Sequence, residues 1–71
     1  MIAPNNLRSI RVKKGLSQIE LSARTRISQG AISCMETGKV FPYAGWRKRL
    51  AKALGVTEKE VFPQVVSIDE K

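Results

Sequence analysis

From Leu16 to Ile32 the sequence reads LSQIELSARTRISQGAI. The pattern of an apolar residue, a serine and a glutamine occurs twice in this stretch, and the two copies begin eleven residues apart. In both copies the fourth residue after the serine is also apolar. A serine before a helix accepts a hydrogen bond from the first turn, and the two flanking apolar residues pack across the cap. The repeat therefore predicts two successive helices, capped by Ser17 and Ser28.

The connection between these two helices is short. The first helix is predicted to end near Arg24 and the second to begin after Ser28, which leaves about three residues for the turn. A turn of this length is typical of a helix-turn-helix motif, which places its second helix in a groove of nucleic acid.

Helical spacing of apolar residues predicts three further helices. Gly15, Gly38 and Gly55 are suited to end helices, and Pro63 to end the last one. The predicted helices cover residues 6–14 (capped by Asn5), 18–24, 29–37, 45–54 and 58–62, the last of which follows a capping box of Thr57 and Glu60. No segment before residue 64 alternates like a strand, so we expect one all-α domain over residues 1–63 and a flexible tail over 64–71.

The basic residues are concentrated in the predicted domain. The 71-residue chain has a formal charge of +7, and eleven of its thirteen basic residues, but only two of its six acidic ones, precede position 58. A basic domain of this size favours a polyanionic partner such as double-stranded DNA, although basic surfaces also serve solubility.

The composition argues against several classes of protein. With no histidine and only one cysteine, Cys34, the chain has neither an internal disulfide nor a zinc site of Cys and His. It also lacks a paired carboxylate set and a phosphate-binding glycine loop, so we expect no enzyme, cofactor, metal or small-molecule site. No apolar run is long enough to span a membrane, and no secretion signal begins the chain, so we expect a cytoplasmic protein.

The third predicted helix has two different faces. At about 100° per residue, Ala31, Ile32 and Met35 share one arc, which we assign to the core. The side chains on the other arc are short or uncharged, whereas solvent-exposed helix faces usually carry charged side chains. This arc suits close approach to the major groove, where the Gln29 amide can pair with adenine. The candidate base-contacting residues are Gln29, Gly30, Ser33 and Cys34.

Candidate phosphate contacts surround this face. Ser17 and Gln18 begin the second helix, where free N–H groups and the helix dipole favour an anion. Ser28 has the same position on the third helix, and Lys39 and Arg47 flank the loop that follows it. The alternatives are simple capping for the serines and simple solvation for the two cations.

Glu36 is the one acidic residue near this face. An unpaired carboxylate there would repel phosphates, so we expect an ion pair with Arg11 of the first helix that braces the third.

These residues resemble the Cro-like, phage-repressor-like (XRE) helix-turn-helix family over about Leu7 to Phe62. The matching elements are Arg11, Gly15-Leu16-Ser17-Gln18-x-Glu20-Leu21, Ile27-Ser28-Gln29, Ile32-Ser33, Glu36-x-Gly38-Lys39 and Ala51-Lys52-Ala53-Leu54-Gly55-Val56. The resemblance implies a five-helix, lambda-repressor-like fold. It also implies a sequence-specific transcriptional regulator, expected to be a repressor, that binds pseudo-palindromic operators as a homodimer.

The sequence departs from this family at two functional positions. Arg26 occupies a turn position that is often glycine, so it must accept a left-handed backbone or shift the turn. Gly30 supplies no side chain where the family often has a second reading residue, which concentrates specificity at Gln29 and in DNA shape.

A protein-binding role is the alternative. Antitoxins and other interaction modules use the same fold, and Val65, Val66 and Ile68 offer an apolar segment for a partner or a second copy.

Overall fold

The structure is a computed structural model that describes residues 4–63, which form five α-helices and, over that range, no strand. The helices are α1 (Leu7–Lys13), α2 (Gln18–Thr25), α3 (Gln29–Glu36), α4 (Ala44–Leu54) and α5 (Glu58–Val61). The all-α, five-helix prediction is confirmed, and the observed ends differ from the predicted ones by at most one residue for α1 to α4. The predicted flexible tail over 64–71 and its apolar segment lie outside the described residues.

The predicted caps explain where the helices begin. Ser17 and Glu20 form a reciprocal capping box at α2, and Thr57 and Glu60 form a second one at α5. At α1 the Asn5 side chain accepts a hydrogen bond from the Leu7 N–H group (2.9 Å), while its amide nitrogen donates to the Met35 carbonyl at the end of α3 (2.9 Å). The N-cap residue of α1 is Asn6, whose side chain makes no cap hydrogen bond, so the prediction of Asn5 as the cap is wrong by one position. Asn5 bonds to the first N–H group of the helix from one residue earlier and ties α1 to α3.

Glycine is required at the end of α3 for two reasons. Gly38 has a φ of 84°, and a Cβ atom added there would lie 3.0 Å from the Pro4 side chain. A larger residue would therefore be strained and would press against the N-terminal segment.

A single apolar core lies between the five helices. Nine buried residues form it: Leu7, Leu21, Ile27, Ile32, Met35, Leu50, Leu54, Val61 and Phe62. On α2, Leu21 is buried and Ile19 is 66 % exposed. Because α2 packs against both α3 and α4, the helix before the turn holds the third helix in place.

The side chain of Arg47 differs from the expected position. The helical spacing of residues 44–54 predicts that Arg47, Lys48, Arg49 and Lys52 share the solvent side of α4. The Arg47 side chain, however, is only 14 % exposed. That expectation is wrong for Arg47, because a carboxylate of α5 and an aromatic ring of the preceding loop draw its guanidinium inward.

Candidate nucleic-acid interface

The turn between α2 and α3 is fixed by local hydrogen bonds. The Thr25 hydroxyl donates to the Leu21 carbonyl (2.8 Å) and accepts from the Ile27 N–H group (3.3 Å), and the Ile27 side chain is buried. Between them Arg26 adopts a left-handed backbone (φ 62°, ψ 27°). The chain therefore keeps the expected turn and accepts the strain of a side chain at that position.

The α3 helix buries one side and presents the other. Ile32 and Met35 are wholly buried, whereas Gln29 and Gly30 at the start of the helix are exposed. Ser33 and Cys34 are half-buried. The four candidate base-contacting residues thus lie away from the core, and the two most accessible ones begin the helix.

Four polar side chains connect the core to this exposed face. Arg11 and Glu36 form the ion pair that we expected, with Nε and Nη2 of the arginine 2.6 and 3.2 Å from the carboxylate oxygens. Glu36 also accepts from the Gln18 amide nitrogen (3.0 Å), and the Gln18 oxygen accepts from the Gln29 amide nitrogen (3.4 Å). We call this series of hydrogen-bonded side chains, Arg11–Glu36–Gln18–Gln29, the polar relay.

The polar relay is anchored at its inner end. The side chains of Arg11 and Glu36 are 11 % and 4 % exposed, and the third guanidinium nitrogen donates to the Leu16 carbonyl (2.8 Å). The Arg11–Glu36 pair is held in this geometry, because another arrangement would leave a buried charge without its hydrogen-bond partner. The two glutamines are thereby oriented by a rigid support.

The start of α2 combines a carboxylate with free N–H groups. Glu20 accepts from the Ser17 N–H group (2.8 Å) and its own N–H group donates to the Ser17 hydroxyl (3.0 Å). The hydrogen bonds from Ser17, aided by the charge of Arg24, lower the pKa of Glu20 from its usual 4.5. The N–H groups of Gln18 and Ile19 have no acceptor within residues 4–63, so they can bind an anion.

The sequence matches the helix-turn-helix domain family over residues 5–62. The chain belongs to the helix-turn-helix family. It is 39 % identical over 57 residues to an uncharacterized HTH-type transcriptional regulator, y4dJ, of Sinorhizobium fredii (strain NBRC 101917 / NGR234), a match that covers 80 % of this chain and 74 % of that protein.

The two candidate cations of this helix-turn-helix domain differ in their surroundings. Lys39 is exposed in the α3–α4 loop and forms no ion pair within the described residues. Arg47 instead donates to Glu58 (3.2 Å) and to the Pro42 carbonyl (2.8 Å), and lies 5.5 Å from the centre of the Phe41 ring. Its contact with DNA stays a prediction, since these partners already use Nε and Nη1 of the guanidinium.

Sequence reasoning missed an exposed aromatic surface on the α3–α4 loop. Val40, Phe41 and Tyr43 are 45 %, 51 % and 60 % exposed, and the Tyr43 ring lies 5.4 Å from that of Trp46. The consecutive apolar residues before Pro42 were a signal of this surface, but they lie in a loop and have no helical or strand period.

Neither a metal site nor a membrane span is found in the part of the chain that the structure describes. There, no three His, Cys, Asp or Glu side chains are grouped so as to hold a metal ion. No helix there is long and apolar enough to cross a bilayer.

Proposed function

We propose that this helix-turn-helix domain is a sequence-specific regulator of transcription that binds double-stranded DNA with α3 in the major groove. The observation that carries the proposal is that the outer face of α3 bears short, uncharged and accessible side chains, although the domain has a large positive charge. Such a face permits close approach to base edges, while the surrounding cations bind the backbone.

Gln29 is proposed to read a base. An adenine edge requires one donor and one acceptor from the same amide, for N7 and N6 respectively. The Gln29 nitrogen uses one of its two hydrogens toward Gln18 (3.4 Å), so its second hydrogen and its oxygen are available. Gly30, Ser33 and Cys34 are proposed to contact neighbouring bases through backbone and short side chains.

The backbone phosphates are proposed to lie at the start of α2 and beyond α3. The N–H groups of Gln18 and Ile19, together with the Ser17 hydroxyl, form one anion site, and the exposed ammonium of Lys39 forms another. Ser28, the N-cap residue of α3, is proposed as a further phosphate contact.

We further propose assignment to the XRE group, action as a repressor, and binding as a homodimer to a pseudo-palindromic operator. The sequence resemblance supports these statements, because Arg11, Glu36 and the repeated Ser-Gln caps occur at the matching positions. A symmetric dimer would pair with a symmetric operator.

A protein-interaction role is the second candidate. The exposed surface of Val40, Phe41 and Tyr43 favours it, because contiguous apolar side chains on a small domain are typical of contact sites. An antitoxin would combine such a contact with DNA binding.

Selection from a randomised duplex library at about 150 mM salt tests the proposal, since that salt damps nonspecific attraction. We expect a two-fold-related motif with half-sites about one helical turn apart. The same selection with Gln29→Ala should lose the preference at one base position. Retention without sequence enrichment would refute base reading and favour the protein-interaction role.

A further inference from the structure

An open depression lies between the end of α2 and the middle of α4, away from the polar relay. It has a volume of about 480 Å³ and is lined by Arg24, Thr25, Arg26, Arg49, Lys52 and Ala53. With a rise of about 1.5 Å per residue, α2 places it roughly 10 Å from Gln18. It is therefore separate from the anion site at the start of that helix.

Four cations share this depression without a matching set of anions. Among residues 4–63 none of Arg24, Arg26, Arg49 and Lys52 forms an ion pair. The charge of Arg24 helps to lower the pKa of Glu20, a carboxylate near the start of α2. Like charges held around one concave surface repel one another, and the repulsion is relieved by an anion between them.

Backbone strain points to the same place. Arg26 is the one non-glycine residue among those described with a positive φ, at 62°. An L-residue with a side chain is strained there, whereas glycine would not be. The strained position supplies one of the four cations, so the side chain is retained at a cost to the fold.

The chemistry of the lining favours phosphate. Three of the four cations are guanidinium groups, whose paired N–H donors match phosphate oxygens, and four charges exceed what one carboxylate can balance. One group would repel an anion, the Thr25 carbonyl at the negative end of α2, and Arg49 Nη1 lies 3.5 Å from it and offsets its charge.

We propose that this depression, the α2–α4 basic pocket, binds a multivalent phosphate group. Its source is either a free phosphoanion or the backbone of bound DNA. The pocket shares no side chain with the base-reading face, so this inference can fail while the proposed function holds, and the reverse.

Thermal unfolding with sodium tripolyphosphate as the probe tests the pocket, against sodium chloride at equal ionic strength. When the concentration of tripolyphosphate is about ten times its dissociation constant, it should raise the melting temperature of the natural protein by roughly 4 °C or more. Arg49→Gln/Lys52→Gln should shift by less than half as much. The control Lys13→Gln/Lys59→Gln loses the same charge from exposed positions on α1 and α5 and should shift like the natural protein.

Arg26→Gly is the second test variant. It removes a cation and the backbone strain together, so it should melt higher than the natural protein without tripolyphosphate and gain less from it. A higher melting temperature without the anion, together with a smaller shift in its presence, would show that the variant binds less anion without being damaged in its fold.

The salt dependence of DNA binding distinguishes the two sources. If DNA supplies the phosphate, Arg49→Gln/Lys52→Gln should reduce the slope of log K against log salt by about two units relative to the control. If a free anion does, the slope is unchanged and the thermal shift is specific to the pocket. Equal thermal shifts in all three proteins, or no thermal shift together with an unchanged slope, would overturn the proposal.

Discussion

Removal of Arg11 should cost the protein a large part of its free energy of unfolding. In Arg11→Met the aliphatic part of the side chain is kept, but the 2.6 and 3.2 Å hydrogen bonds to Glu36 and the 2.8 Å bond to the Leu16 carbonyl are lost. Glu36, whose side chain is 4 % exposed, keeps only the amide of Gln18. An uncompensated buried charge of this kind costs about 3 to 5 kcal/mol.

This loss is large for so small a domain. At about 0.05 to 0.15 kcal/mol per residue, a chain of this length has a free energy of unfolding of roughly 4 to 11 kcal/mol. Urea unfolding can be followed by the fluorescence of Trp46, the single tryptophan, which packs against the core. We expect the urea midpoint of Arg11→Met to fall by about half or more with an unchanged slope.

Two further variants make the experiment decisive. Arg11→Met/Glu36→Leu removes both charges and should recover most of the loss, since an apolar pair can replace a buried ion pair. Arg47→Met is the matched control, because its partner Glu58 is 27 % exposed, and it should cost about 1 to 2 kcal/mol. A loss below about 1 kcal/mol in Arg11→Met, or a double variant no more stable than Arg11→Met, would refute the reasoning.

Four other predictions follow from the same structure. Arg26→Gly should raise the stability by about 0.5 to 1 kcal/mol in thermal unfolding, since the relieved left-handed strain exceeds the added chain entropy; a lower melting temperature would contradict this. The lowered pKa of Glu20 means that its capping box stabilises the fold above the usual pKa and that this contribution is lost as the pH falls through the lowered one. Glu20→Gln should therefore lose less of its urea midpoint between about pH 6 and pH 3 than the natural protein, because glutamine keeps the cap without titrating; equal losses would show that the cap is not the titrating element. Gln29→Ala should weaken operator binding by about 1 to 3 kcal/mol in a titration against labelled duplex, and an equal loss on random DNA would contradict base reading. Lys39→Ala should weaken binding to all sequences and reduce the salt slope by about one unit, whereas the exposed control Lys59→Ala should not; equal slopes would show that Lys39 touches no phosphate.

Local signals account for what the sequence predicted well. The caps at Ser17, Ser28 and Thr57 each depend on residues within one helical turn, so they were readable from spacing alone. The positive φ of Gly38 and of Gly55 is a property of the backbone at one position, so glycine alone was enough to predict both helix ends.

The contacts that were missed join residues far apart in the chain. Gln18 bonds to Glu36, eighteen residues later, and Arg47 turns inward toward Glu58, eleven residues later, and toward a ring in the preceding loop. Such contacts depend on how the helices cross, which no single period determines. The base and phosphate contacts depend in addition on the DNA itself, so they stay predictions.

The order of residues in the polar relay has an evolutionary consequence. Gln29 is its outermost member, attached through one long hydrogen bond of 3.4 Å, whereas Arg11 and Glu36 carry the short, buried bonds. Position 29 can therefore be exchanged while the stabilising pair stays intact. If Gln29 reads a base as proposed, descendants of this protein could change the recognised DNA sequence through substitutions at the end of the relay without first acquiring a compensating change in the core.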